Sequence, residues 1–357
     1  MATNLGNQRH WWNTWASRQP QLKVVLCGSA ASWMIENIIN NKGGLHNRIT
    51  RAPIQLLPFT VRETKDYLTS SGIKWNNYQI LELYMATGGV PQYLKQVQKG
   101  ESPRQAIDRL FFARGALLKM EFKNLYQSLF SNAGHHENIV RALAEQEKGL
   151  SRVEILAACG LNDGGGTTRL LDELEQSGFI THYIPFGKTS RDTFYKLTDE
   201  YSRFYLKFVE RARATGPGTW EKIATGQSYT TWRGFAFEAI CQKHVQYIIK
   251  ALNIKTYTEA SPWSYHPKKG ETGTQVDLLL DRNDQVIHLC EIKFAGSKFA
   301  IDKKYAAALE QKEKVFREQT KTRKTIFLTM VTTYGVKKND YARRLVQNEA
   351  TMDDLFQ

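Results

Sequence analysis

The stretch TQVDLLLDRNDQVIHLCEIKF, residues 274–294, decides how the C-terminal part of this chain is read. Two apolar runs flank a polar turn, the pattern of a β-hairpin. Successive strand side chains point to opposite faces, so Gln275, Asp277 and Leu279 share one face of the first strand. Ile287, Leu289, Glu291 and Lys293 share one face of the second. With the turn centred near Asn283, Asp277 is expected opposite Leu289, with Glu291 as its diagonal neighbour. Two carboxylates at that spacing repel unless a cation sits between them. Mg²⁺ binds one or two carboxylates and keeps its waters, so Asp277 and Glu291 are candidate metal ligands. Lys293 is placed to position a hydrolytic water or to offset charge growing on a scissile phosphate. The plain alternative is a surface pair, Glu291–Lys293, beside an Asp277 that merely ends a buried stretch.

Outward from the hairpin, RGFAFEAICQKHVQYIIKAL (233–252) precedes it and KYAAALEQKEKVFREQ (304–319) follows, both with helical periodicity. Glu238, Cys241, Val245, Ile248 and Leu252 recur at steps of three and four and share one face. Glu238 therefore projects from a stripe that should pack on the sheet, where an unpaired charge is costly and a partner is required. The strand TIFLTMVT (325–332) completes an αββαβ order over residues 213–357, opened by the Gly/Pro break TGPGTW (215–220). That order predicts a small α/β domain. Lys268, Lys269, Lys298, Lys303 and Lys304 are candidate contacts for a nucleic-acid backbone.

Residues 128–212 read as three helices and a hairpin. HENIVRALAEQ (136–146) is the first helix. SRVEILAACG (151–160) opens on a capping box, Ser151 with Glu154, and stops on Gly160. GGGTTRLLDELEQSGFI (164–180) gives a third helix, with Leu170, Leu171 and Leu174 on one face. FITHYIPFGKTSRDTFYKLTD (179–199) then alternates through a turn. Together these predict a winged helix-turn-helix. The third helix presents Asp172, Glu173 and Glu175, and only Arg169, Lys188 and Arg191 lie where phosphate contacts are needed. A protein-contacting role is therefore favoured over base readout.

Residues 1–127 are mostly helical in pattern. LKVVLCG (22–28) is a continuous apolar run, the signature of a strand buried in a parallel sheet. KWNNYQILELYMATGGVPQYLKQV (74–97) reads as a helix stopped at Gly88-Gly89 and a second begun near Pro91. Trp11, Trp12 and Trp15 are spaced for one helix face packing on the sheet, although aromatic rings can also stack bases.

The chain's 357 residues exceed one ordinary domain. Net charge is +14, and 49 Lys and Arg face 35 Asp and Glu. The excess sits at the ends: Lys+Arg against Asp+Glu is 16 to 7 over residues 1–130, 10 to 12 over 131–212, and 23 to 16 over 213–357. Such a balance favours a polyanionic partner, nucleic acid first. Cys27, Cys159, Cys241 and Cys290 form no C-x-x-C pair and suit reduced thiols in a cytoplasmic protein. No apolar run reaches membrane-spanning length, so no membrane partner is expected. FGKTS (186–190) mimics the tail of a phosphate-binding loop, but His182 stands where that motif needs glycine.

On these residues two resemblances stand out. Glu238 on a helix, Asp277 on a strand and Glu291-x-Lys293 on the next resemble the PD-(D/E)xK nuclease core, although Val276 replaces its proline. That likeness implies that all four residues are catalytic. The run LKVVLCGSAASWMIENIINNKGGLHNRITRAPIQLLPFTVRETKDYL (22–68), followed by TGGVPQYL (87–94), resembles the back half of a bacterial and archaeal AAA-type ATPase. In that family a helical lid, a winged helix and a nuclease-like domain follow the nucleotide-binding domain. The resemblance implies that Ser29 holds a sensor position and that Arg48 reaches toward ATP. Walker A and Walker B are absent, so the chain is expected to begin partway through the ATPase domain, with ATP binding only if a separate chain supplies them. The alternative to a nuclease is a regulatory or scaffolding protein whose winged helix binds protein.

Overall fold

The computed structural model describes residues 5–28, 34, 54–213, 216–265, 267 and 273–357. The fold is mixed α/β, with helices, a small antiparallel sheet and a larger mixed sheet. Helix α1, Leu5–Thr14, is followed by residues 22–28 without regular secondary structure. That run forms no strand, and Val25 is 84% exposed. The expected buried strand is therefore corrected: among the described residues no strand pairs with it, and its apolar side chains Leu22, Val24, Val25 and Leu26 are exposed. Trp11 and Trp15 lean on each other at 5.8 Å and are likewise exposed, rather than packed on a sheet.

Helices α2 (Val61–Ser70), α3 (Asn77–Thr87) and α4 (Pro91–Leu94) follow, the first two opened by capping boxes at Thr60 and Asn76. Gly88, at φ 60°, ends α3 as the sequence implies. Gly89 permits the backbone of Phe59 to approach so closely that a Cβ would lie 1.8 Å from its carbonyl oxygen. After α5 (Pro103–Ile107) and α6 (Leu117–Leu129), α7 (Ala133–Ala144), α8 (Arg152–Cys159) and α9 (Gly165–Gln176) surround a three-stranded antiparallel sheet. Its strands are β1 (Leu150–Ser151), β2 (Ile180–Tyr183) and β3 (Phe194–Leu197), in the order β1-β3-β2. The capping box at Ser151 and Glu154 is made, and Gly160 closes α8 in the left-handed conformation.

Past α10 (Glu200–Phe204) and α11 (Thr219–Ala224), α12 (Gln227–Lys243) carries Glu238. The helix expected through residue 252 breaks at His244 and resumes as α13, Val245–Ala251. The His244 ring is held between the Ile240 carbonyl at 2.9 Å and the Val61 amide at 3.3 Å, which fixes the break. Strands β4 (Thr258–Tyr265), β5 (Thr274–Arg282) and β6 (Val286–Lys293) then run antiparallel. Helix α14 (Lys303–Thr320) crosses to β7 (Thr325–Thr332), parallel to β6, and α15 (Asp340–Leu345) leads to β8 (Asn348–Thr351), parallel to β7.

Two apolar clusters hold this arrangement. One sheet face, with Leu278, Leu280, Cys290 and Ile292, joins a cluster that continues unbroken from Val61 to Phe356. The opposite face, with Leu279, Ile287 and Leu289, packs on Leu309 and Phe316 of α14. Each fully buried Leu, Ile or Phe contributes roughly 1.5–3 kcal/mol relative to exposure.

Candidate carboxylate–lysine site

The β5–β6 hairpin turns through three residues, with Gln285 left-handed at φ 65°. Leu278 pairs with Cys290 and Leu279 with Leu289. The register expected from a turn at Asn283 is therefore corrected by two residues: Leu279, not Asp277, faces Leu289. Continuing the same register carries Asp277 to the level of Glu291.

Asp277 also sits where β5 departs from β4. The pairing Ser261–Leu279 is followed by Trp263–Val276, so β5 spends an extra residue opposite Pro262. Such a bulge re-aims the side chain that it carries. Here the Asp277 carboxylate takes a hydrogen bond from the Ile292 amide, 3.1 Å from Oδ2, which is a β6 donor. The Gln242 side chain in turn donates to the Asp277 carbonyl at 2.8 Å.

Lys293 joins the acids: its ammonium lies 2.7 Å from Glu291 Oε1 and 3.8 Å from Asp277 Oδ2. Two side chains from α14 complete the surroundings. The Tyr305 hydroxyl donates to Glu291 Oε1 at 3.0 Å, and Lys312 closes on Glu291 Oε2. Both carboxylates are buried, Asp277 at 8% and Glu291 at 6% exposure.

Burial alone would raise both carboxyls. Asp277 is raised, by burial and then by the Glu291 charge beside it. For Glu291, Lys312 and Lys293 outweigh burial and hold its carboxyl below the ordinary range. Glu238 approaches from α12, half-buried, and burial followed by the Asp277 charge pushes its carboxyl up to about 8. Lys293 is held above its ordinary value because the Glu291 and Asp277 charges overcome its burial. The four residues singled out in the sequence thus sense one another's charge.

Among the described residues no group of three or more His, Cys, Asp or Glu side chains is arranged to hold a metal ion. What remains for a divalent cation is the pair Asp277 and Glu291. Two hard carboxylates suit a Mg²⁺ that keeps most of its waters. The Lys293 and Lys312 ammonium groups occupy the place where such a cation's charge would fall.

Lys298, Lys303 and Lys304 are exposed around the start of α14. Lys268, Lys269, Ser29 and Arg48 lie outside the described residues. The sequence reading missed four participants. Tyr305 and Lys312 stand seven residues apart, two helical turns, on the stripe that includes Leu309 and Phe316, and that spacing was a usable signal. Gln242 lies one turn beyond Glu238 on α12. Lys196 of β3 reaches Gln242 at 2.9 Å across the boundary between units, which no local pattern announces.

Fold and site together define a mixed α/β protein with a buried carboxylate–lysine cluster on the inner strands β5 and β6 of a mixed sheet. No family model matches the sequence, and no curated protein matches it. Among solved structures, the chain is similar to a Walker-type ATPase of Pyrococcus abyssi, at 20% identity and a TM-score of 0.37. The similarity covers 53% of this chain and 54% of that one, so it spans about half of that structure's length.

Proposed function

We propose that residues 213–357 form a PD-(D/E)xK nuclease-like domain that acts on nucleic-acid phosphodiesters with Mg²⁺. It follows a winged helix over residues 128–212 and a helical, ATPase-derived segment up to residue 127. The observation that supports this reading is the meeting of Lys293 with both strand acids, 2.7 Å from Glu291 and 3.8 Å from Asp277. Asp277 and Glu291 would hold the cation, which supplies Lewis acidity at the phosphate. Lys293 sets a fixed positive charge against the charge that develops on phosphate oxygens. Glu238, its carboxyl at about 8, holds a proton at neutral pH and adds little repulsion to an incoming polyanion. Exposed Lys298, Lys303 and Lys304 would contact the backbone.

The test is a melting series with Mg²⁺ or Mn²⁺ on the unmodified chain and on Asp277→Ala, with cleavage of single- and double-stranded DNA and RNA alongside. The reading expects a metal-dependent rise in melting temperature that Asp277→Ala abolishes. Equal melting with and without metal would end it.

One observation favours a second reading. Both oxygens of Glu291 are already matched, by Lys293 and Tyr305 on one side and Lys312 on the other. A closed ion-pair network of this kind suits a non-catalytic regulatory or scaffolding module, with protein bound through the winged helix. That reading expects neither metal response nor cleavage.

A further inference from the structure

The β2–β3 hairpin of the middle unit grips the C-terminal unit at two points. At its base, the Lys196 ammonium donates to Gln242 Oε1 at 2.9 Å, and Gln242 Nε2 donates to the Asp277 carbonyl at 2.8 Å. At its tip, the Phe186 amide donates to the Pro262 carbonyl at 3.4 Å. The Phe186 ring packs 5.7 Å from Phe316, which stands edge-on to Trp263 at 4.9 Å.

These grips converge on one residue. Pro262 is the β4 residue between the Ser261 and Trp263 pairings, where β5 bulges at Asp277. The tip therefore holds β4 on one side of the bulge, while the base holds the Asp277 backbone from the α12 side. A hairpin free in solution, as a wing that enters a nucleic-acid groove must be, would make neither contact. A bulged strand is poorly determined by its own ladder, so outside contacts decide where its side chain points.

We infer that the β2–β3 hairpin acts as a clamp in cis that sets the position of Asp277, with Lys196 as its positioning residue. The acid site is then assembled by two units of the chain. A partner or ligand that shifts the middle unit alters the site without touching it. The inference deepens the reading of Asp277 as part of a phosphodiester site, and it makes an indirect demand that a merely structural lysine does not.

The Ile292 amide, bonded to Asp277 Oδ2, reports that position in metal-free protein. Hydrogen exchange at Ile292 is measured in the full chain and in Lys196→Met, Lys196→Arg and Phe186→Ala, with β7 amides as internal reference. Mn²⁺-induced melting shifts are recorded on the same proteins. The clamp expects Ile292 exchange to rise about tenfold in Lys196→Met and in Phe186→Ala, with β7 unchanged and Lys196→Arg near the original rate. Unchanged Ile292 exchange in Lys196→Met overturns the inference. A uniform rise through β5, β6 and β7 also overturns it, in favour of general loosening. The expected exchange pattern without any Mn²⁺ shift in the unmodified chain supports the clamp and removes the metal-dependent reading instead.

Discussion

Lys312, from the third turn of α14, closes on Oε2 of Glu291 in β6, so a helix ammonium caps one oxygen of the acid while Lys293 holds the other. Removing one partner from such a buried pair leaves a charge with reduced compensation. Lys312→Met is expected to lower stability by about 1–3 kcal/mol in metal-free protein, measured by urea denaturation. The proposed cation site makes the same variant bind Mn²⁺ more tightly, because the competing ammonium is gone. Titration calorimetry showing weaker Mn²⁺ binding than in the unmodified chain would contradict it.

Glu238 gives a pH prediction. Its carboxyl moves from an ordinary 4.5 in the unfolded chain to about 8 in the fold. Between those values the unfolded chain has lost the proton and the folded chain keeps it, so stability falls as pH rises through that window. Glu238→Gln removes the dependence. The variant's advantage over the unmodified chain should therefore grow by roughly 2 kcal/mol or more between about pH 5 and pH 8. Parallel melting curves at both pH values would refute the assignment.

Asp199 makes an independent case away from the site. It caps α10, accepting the Ser202 amide at 2.7 Å, and burial pushes its carboxyl from 3.8 up to about 6. Protonation again favours the fold, and that contribution is lost as pH rises through the interval. Asn is an equally good cap that never ionises. Asp199→Asn should therefore gain on the unmodified chain by about 1–2 kcal/mol on passing from about pH 4 to pH 7. Thermal melts at the two values read the difference directly.

Gly89→Ala tests the close approach of two backbones beside α4. A Cβ there would sit 1.8 Å from the Phe59 carbonyl oxygen, and the flanking Phe59 amide already bonds the Gly89 carbonyl at 2.7 Å. Neither strand of chain can yield cheaply, so a loss of about 3 kcal/mol or more is expected. A variant that melts within a degree or two of the original would show that the segment moves freely.

How far these features were legible in the sequence depends on the range of the forces that set them. Caps act over three or four residues, and Ser151 with Glu154, Gly88 and Gly160 stand where their spacing implies. The alternation of residues 274–294 foretold two strands but not their alignment. A three-residue turn with Gln285 left-handed moves the register by two, and the bulge at Asp277 then changes where its carboxylate points. Both are decided by a few dihedral angles that apolar patterning does not encode. Tyr305 and Lys312 could have been found from their two-turn spacing. Lys196 and Phe186 could not, since their partners lie 46 and 130 residues further on in the chain. The apolar run at residues 22–28 shows the reverse: strand-like composition forms a strand only where neighbouring strands offer hydrogen bonds.

The cluster that begins at Val61 closes on Met352, Leu355 and Phe356, with Lys65 lying 5.6 Å above the Phe356 ring and Asn77 bonded to Asp353 at 2.7 Å. During synthesis the early helices emerge hundreds of residues before these lids do. An apolar flank of those helices therefore stays uncovered in the nascent chain until residues 352–356 have been made.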